Sequence, residues 1–272
     1  MELLQEPVQL LGGLVFEDGS RADRVLLRPV SGREEDWVAR HPGAPVATTV
    51  SALLGSCVAL PDGGVSSPEL ARSLLTGDRD YLMTRLRRAT FGDRVDGVYT
   101  CPACAEPMDV RLDLGEMPWE PAAQGARTYE RTLPDGRLVR FRLPCGADQE
   151  AIVGVPVEDA VDLLLRRCVL TPESGSLESP ERDQLVDAIE GLAPRVEIEL
   201  SLTCPECEHT FEVEFDPNAC FIAELAASHA TLLREVHHLA FHYGWSEIDI
   251  LAMDRTRRRL YLSLLSDELR VD

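Results

Sequence analysis

Cys101-Pro102-Ala103-Cys104 and Cys204-Pro205-Glu206-Cys207 are two copies of one four-residue pattern, set 100 positions apart between Cys104 and Cys204. Apolar and polar residues alternate around each. Val98 to Asp113 reads as strand, turn and strand, with Val110, Leu112 and Leu114 on one side. Arg195 to Leu202, with Val196, Ile198, Leu200 and Leu202 alternating, leads into the second turn, and Phe211, Val213 and Phe215 lead out. A period of two marks half-buried strands, so each pattern sits at the tip of a β-hairpin. Two residues between cysteines let a tight turn aim both sulfurs at one point, and zinc takes four such donors in a tetrahedron. One Zn²⁺ shared by Cys101, Cys104, Cys204 and Cys207 is the predicted arrangement. The alternatives are two separate sites, each completed by Cys145, His209 or Cys220, a redox role, and metal-free packing. Redox use lacks its usual βαβ setting. Ala105 and Glu208 stand where glycine often follows the second cysteine of a knuckle, so both turns must form without glycine's freedom.

Four thiolates close the coordination shell, so the zinc would be structural and not catalytic, a clamp between two distant hairpins. A zinc-ribbon domain then spans 98–217, with an inserted hairpin and helices over about 118–195. Within the insertion, Met117 to Gly125 reads as Pro-rich linker, and Tyr129 to Leu143 as a hairpin turning at Pro134-Asp135-Gly136. Pro156 to Leu170 is a predicted helix with Val157, Ala160, Val161, Leu164 and Leu165 on its buried side. A loop from Thr171 to Pro180 leads to a helix from Ser179 to Gly191.

Before the ribbon, an N-terminal α+β region covers 1–97. Val8 to Phe16 and Arg24 to Val30 read as strands separated by Glu17-Asp18-Gly19-Ser20. Ser31 caps a helix with acids in its first turn. Thr48 to Leu60 is helical and ends at Pro61-Asp62-Gly63-Gly64. Ser67-Pro68-Glu69 opens another helix. Asp78 is expected to cap a third, closed by Phe91-Gly92. After the ribbon, 218–272 forms a helical docking region: a helix from Phe221 to Tyr243 ended by Gly244, a short one capped by Ser246, and a last one capped by Asp254. The fold class is α+β, β-hairpins forming a four-cysteine zinc ribbon between a helical N-terminal part and a helical tail.

Charge narrows the function. The 272 residues carry 27 basic side chains, all Arg, against 47 acidic ones, a net of -20. An acidic surface repels phosphate, which disfavours nucleic acid and anionic membranes as partners. No apolar run approaches the roughly 18 residues of a membrane span, and the start lacks a signal-peptide pattern. A cytoplasmic, reducing setting is expected, which argues against a disulfide framework. Outside a metal role, Cys57, Cys145, Cys168 and Cys220 read as small core residues. His238 and His242 are one helical turn apart, but Leu239 follows the first, so the metalloprotease pattern is missing. No nucleophile triad, phosphate loop or carboxylate pair stands out, and the chain is read as a non-enzyme. Arginine gathers on two helices, as Arg79, Arg85, Arg87 and Arg88 and as Arg255, Arg257, Arg258 and Arg259. These are either solvated faces or basic patches for an acidic partner. The tail from Gly244 to Leu265 imitates a helix-turn-helix; docking a partner protein, with Trp245 included, is preferred to DNA contact or plain packing.

Three segments carry a family likeness. Leu74-Leu75-Thr76-Gly77-Asp78-Arg79-Asp80-Tyr81-Leu82, then Leu86-Arg87-Arg88-Ala89-Thr90-Phe91-Gly92-Asp93, then Cys-Pro-x-Cys resembles the T4-like phage base plate protein family. The ending His242-Tyr243-Gly244-Trp245-Ser246-Glu247-Ile248-Asp249-Ile250-Leu251-Ala252 with Arg257-Arg258-Arg259-Leu260-Tyr261-Leu262 is similar to tails of proteins encoded beside contractile phage tails and extracellular contractile injection systems. The likeness covers roughly residues 67–114 and 196–265. It implies a non-enzymatic baseplate component, or a chaperone-like assembly protein, whose partners are other baseplate or tail proteins of the same particle. The alternative from another class is a zinc-ribbon nucleic-acid-binding regulator.

Overall fold

Arg28 and Arg142 occupy equivalent places in two copies of one small module, and each organises the chain around it. A computed structural model describes residues 5–16, 18–63, 66–117, 119–122, 126, 128–133, 136–171, 179–194 and 199–271. The first module starts with the antiparallel hairpin β1 (Glu6–Val15) and β2 (Arg21–Leu27). Helices α1 (Gly32–Arg40) and α2 (Val46–Cys57) follow, and β3 (Val58–Ala59) returns to β2 with Val58 opposite Leu27. Then come α3 (Pro68–Ser73), α4 (Thr76–Phe91) and the first cysteine hairpin, β4 (Arg94–Thr100) and β5 (Pro107–Asp113).

The second module follows this order with a single helix after its third strand, where the first has α3 and α4. It has β6 (Tyr129–Thr132) and β7 (Leu138–Phe141), α5 (Gly146–Ala151), α6 (Val157–Cys168), β8 (Val169–Thr171) and α7 (Ser179–Leu192). The second cysteine hairpin, β9 (Glu199–Thr203) and β10 (Thr210–Glu214), completes it. Helices α2 and α6 are both 12 residues long, both follow a proline cap and both end on cysteine. Arg28 N donates to Cys57 O at 3.0 Å, and Arg142 N donates to Cys168 O at 2.9 Å. Each arginine side chain grips the acid of a capping box. Arg28 holds Glu34 at 2.8 and 3.2 Å, and Glu34 accepts from Ser31 N. Arg142 holds Asp148 at 2.6 and 2.9 Å, and Asp148 accepts from Cys145 N. Both boxes satisfy helix N–H groups that would otherwise be buried without partners.

The chain closes with α8 (Pro217–Tyr243), α9 (Glu247–Leu251) and α10 (Arg255–Val271). Segments α3–α4 and α9–α10 are alike: a short Ser-capped helix, a one-residue bridge, then a long helix with a buried arginine in its first turn. Each clasps one capping box. Leu75 bridges Cys145 and Leu74 O accepts from Gly146 N at 3.0 Å; Asp254 bridges Ser31 and Met253 O accepts from Gly32 N at 3.1 Å. The clasp arginines, Arg79 and Arg258, lie against Gly146 and Gly32; a Cβ on Gly146 would fall 1.8 Å from Arg79 Nη1. Bare backbone is therefore required there.

The main core lies between the first sheet, α2, α4 and α8, where Val25, Val50, Leu53, Leu54, Leu82, Leu86, Phe221 and Leu225 are buried together. A second cluster fills the other module with Val139, Phe141, Leu165 and Leu185. A third, around Leu232, Leu239 and Ile250, fixes α9 against α8.

Ser31, Ser67, Ser246 and Asp254 act as the predicted caps, and Gly244 ends α8 at a positive φ of 67°. Asp78 does not cap α4. The helix starts at Thr76, and the buried Asp78 carboxylate instead accepts from Leu11 N and Gly12 N in β1, at 2.6 and 3.1 Å. Those strand N–H groups need an acceptor, and a carboxylate one turn into the helix reaches them. The predicted helices over Thr48–Leu60 and Pro156–Leu170 end early, because the residues after Cys57 and Cys168 join the sheets as β3 and β8. Parts of the predicted turn at Pro134-Asp135-Gly136, the linker after Met117, the loop after Thr171 and the strand from Arg195, together with Glu17 and Gly64, lie outside the described residues. No helix among the described residues is long and apolar enough to cross a membrane.

Candidate metal centre

The two cysteine turns are built alike. In the first, Ala105 N donates to Cys101 O and Cys101 N to Glu106 O, both at 2.9 Å. In the second, Glu208 N donates to Cys204 O at 3.0 Å and Cys204 N to His209 O at 2.9 Å. Ala105 and Glu208 take φ of 61° and 58°, the left-handed conformation that glycine usually supplies. They are the non-glycine residues with positive φ among the described residues. Both turns accept a backbone cost of order 1–2 kcal/mol to bring their sulfurs round.

The hairpins face each other tip to tip. All four sulfurs lie within 4.8 Å of one another. Cys101 Sγ is 3.7 Å from Cys207 Sγ, and Cys104 Sγ is 3.6 Å from Cys204 Sγ. A tetrahedron with metal–sulfur bonds of about 2.3 Å has edges of about 3.8 Å, so the spacing fits one ion. Cys101 and Cys204 are buried beside Met108, with Val110, Leu202 and Phe211 packed on them, whereas Cys104 and Cys207 face solvent. One flank of the cluster is thus anchored in apolar packing and the other stays open to metal entry.

Electrostatics distinguish the sulfurs. Burial opposes the Cys101 thiolate, but N–H groups of Cys104 and Ala103 and the Cys104 and Cys207 sulfurs bring its thiol down to about 7. At Cys104 the N–H of Glu106 favours the thiolate, and the neighbouring sulfurs outweigh it, pushing the thiol up to about 12. Four adjacent thiols cannot all ionise without a cation among them, and a cation bound there would favour their thiolates. The four cysteines can hold a soft divalent ion with every tetrahedral position taken by sulfur. Cys145 and Cys220 fall outside this cluster, so among the described residues the four thiols form one group instead of two.

The predicted arginine contacts divide. Arg79, Arg87 and Arg258 are buried and engaged within the chain, which corrects the expectation that they present a basic surface. Arg79 donates to Ser51 Oγ, Ala71 O and Ala47 O at 2.9–3.0 Å. Arg87 forms a two-pronged pair with Glu224 at 2.7 and 2.9 Å. Arg258 bonds Glu35, Glu235 and Met253 O. Burial is tolerated because each guanidinium finds several acceptors. Arg255 faces Glu35 at 3.5 Å and covers the Phe91 ring at 4.9 Å. Trp245 is packed between Tyr243 and Tyr261, with ring centroids 4.7 and 4.8 Å away.

The remaining arginines are more open. Arg85, Arg88 and Arg257 converge on one groove between α4 and α10, with Leu260 and Tyr261 on its wall. Arg259 keeps 61% of its side chain exposed. The structure thus joins two arginine sets that lie far apart in sequence. Sequence reasoning missed the acids that decide the buried set, Glu35 and Glu235. The signal for Glu35 was local: Glu34, Glu35 and Asp36 all follow Ser31, and the capping box uses only Glu34.

Fold and site together define a mixed α/β protein of small antiparallel sheets and helices, with a four-cysteine cluster able to bind a metal ion. The chain belongs to the T4 bacteriophage base plate protein family, whose sequence model matches it over residues 21–150 and 126–250. Neither a curated protein nor a solved structure matches the chain significantly.

Proposed function

We propose that this chain is a non-enzymatic structural or assembly component of the baseplate of a contractile phage-tail-like particle. It folds around one structural Zn²⁺ and acts by binding other baseplate or tail proteins. The sulfur cluster carries this reading, joined to the family membership. Its four donors leave no position for substrate or water, which suits a clamp and not a catalyst. The ion would be held by Cys101 and Cys104 from one module and Cys204 and Cys207 from the other, tying the ends of the two modules together. The exposed contacts favoured for partners are the groove of Arg85, Arg88 and Arg257, together with Arg259, Leu260, Leu264 and Leu269 on α10.

A tagged chain expressed in the native host tests the role. Finished particles and assembly intermediates are separated, and their proteins are identified by mass spectrometry. Stoichiometric recovery in finished particles supports a structural part. Recovery only in intermediates supports a chaperone-like part. Absence from both rejects the reading.

A further inference from the structure

Residues of both modules wall a cavity of about 720 Å³, within the size range of ligand-binding clefts. Helices α2 and α4 of the first module line it, together with α5 and α7 of the second, the end of β10 and the start of α8. Val46, Ile152 and Ile189 give it an apolar wall, and Val46 is 42% exposed. Its charge is one-sided. Asp80, Glu190, Glu214 and Asp216 line it, and no arginine or histidine does so among the described residues. None of these four carboxylates forms an ion pair among the described residues. Other acids of the fold are matched: Glu34, Glu224 and Asp148 each hold an arginine. The half-buried Asp80 carboxylate accepts from Asn218 Nδ2 at 2.7 Å. Burial and the neighbouring Asp216 push the Asp80 carboxyl above its ordinary value, against the pull of Asn218 and Arg79. Asn218 Oδ1 is itself buried and has no hydrogen-bond partner. Native folds rarely leave such an acceptor without a donor.

We infer that this cavity is the docking site of an arginine- or lysine-bearing segment of another protein of the particle, its cation held against Asp80 and Asn218 Oδ1. The inference rests on the assembly reading above. Charge complementarity selects the occupant. Unmatched carboxylates beside a spare acceptor suit a group that carries positive charge and several N–H donors. The apolar wall suits the methylene stem of such a side chain. A bare metal ion is disfavoured, because the carboxylates do not converge on one point: among the described residues the four cysteines form the group close enough to ligate one. A second copy of the chain is disfavoured by its own net charge of -20.

The test places a photoreactive benzophenone amino acid at Val46 of the full chain, with Leu233 on α8, 46% exposed and outside the cavity, as the control position. The variants are expressed with the complete set of tail proteins, irradiated, and the cross-linked peptides sequenced. The expected result is adducts from Val46 on one segment of a different chain, carrying Arg or Lys beside the adduct and not reached from Leu233. Adding Asp80→Asn with Glu190→Gln should lower that yield about threefold or more, as the loss of a partly exposed charge pair does. Replacing the captured cation by Met should lower it similarly, with little further loss when both changes are combined. In the isolated chain, Asp80→Asn with Glu190→Gln should keep its circular dichroism and metal content. Its melting temperature should hold or rise, because carboxylates without a cation are gone. Adducts confined to this chain, a captured segment without Arg or Lys, a yield unmoved by the double variant, or a lowered melting temperature would overturn the inference. Recovery of the unmodified tagged chain in particles, measured in parallel, reports on the assembly reading separately.

Discussion

Replacing Arg258 by Met removes the charge at the centre of the contact between α10, α8 and α1. Arg258 is fully buried and bonds Glu35 at 2.5 Å, Glu235 at 2.8 Å and Met253 O at 2.7 Å. Met fills most of the volume, so the cost is chiefly electrostatic. Glu35, also fully buried, keeps only Arg255 and Ser228, each at 3.5 Å. Breaking one side of a buried pair costs about 3–5 kcal/mol, because the remaining charge is left in low dielectric. Against a total stability of about 5–15 kcal/mol this is a large share. In urea unfolding of the metal-loaded chain, the midpoint should fall with little change in slope. The double variant Arg258→Met with Glu35→Gln should recover about 1–2 kcal/mol, because the stranded carboxylate is gone. Arg259→Met, an exposed neighbour, should cost under about 0.5 kcal/mol. A loss under about 1 kcal/mol for Arg258→Met, or a double variant as weak as the sum of its parts, would refute the buried-clasp account.

Gly146→Ala should destabilise by about 1–3 kcal/mol, since its Cβ would meet Arg79 Nη1 at 1.8 Å in a filled interior. Gly191→Ala, with open space at its Cβ, should be neutral or stabilising by thermal melting. Glu208→Gly should raise stability by about 1 kcal/mol or less, by relieving a φ of 58°, and a clear loss in the melt would contradict the turn geometry. Acid should unfold the chain through the capping boxes. Burial raises the Asp148 carboxyl, but Arg142, Cys145 N–H and Arg167 outweigh it and hold it well below the usual range; Arg28 and Ser31 do the same at Glu34. Both folded values are depressed, so their contribution is complete above the unfolded value of about 4 and is lost as pH falls through the folded values. Urea midpoints should hold down to about pH 5 and then drop, and Asp148→Asn should start lower and fall less steeply.

Local chemistry was legible in the sequence. Ser31, Ser67 and Ser246 announced their helices, alternating residues announced the hairpins, and the cysteine spacing announced the cluster. Two kinds of information were not. Arginine spacing shows which residues share a helix face, but not whether another element covers that face. Arg258 meets Glu35 across 223 positions, and Arg87 meets Glu224 across 137. The module repeat was visible only as an echo between the cysteine hairpins, because its other shared positions keep a physical role and change the letter. Cys145 stands for Ser31, and Asp148 for Glu34; in both boxes the cap's N–H and its side chain donate to the acid. Asp78 misled for a related reason: an acid in the first turn of a helix can serve a neighbouring strand as well as its own helix.

One metal ion is proposed to join the two modules through Cys101, Cys104, Cys204 and Cys207. Metal analysis with X-ray absorption at the zinc edge, on the purified full chain, tests it most directly. One zinc per chain in a shell of four sulfurs at about 2.3 Å is the expected result. Two zincs per chain, nitrogen or oxygen in the shell, or a well-folded chain that binds no zinc would contradict it.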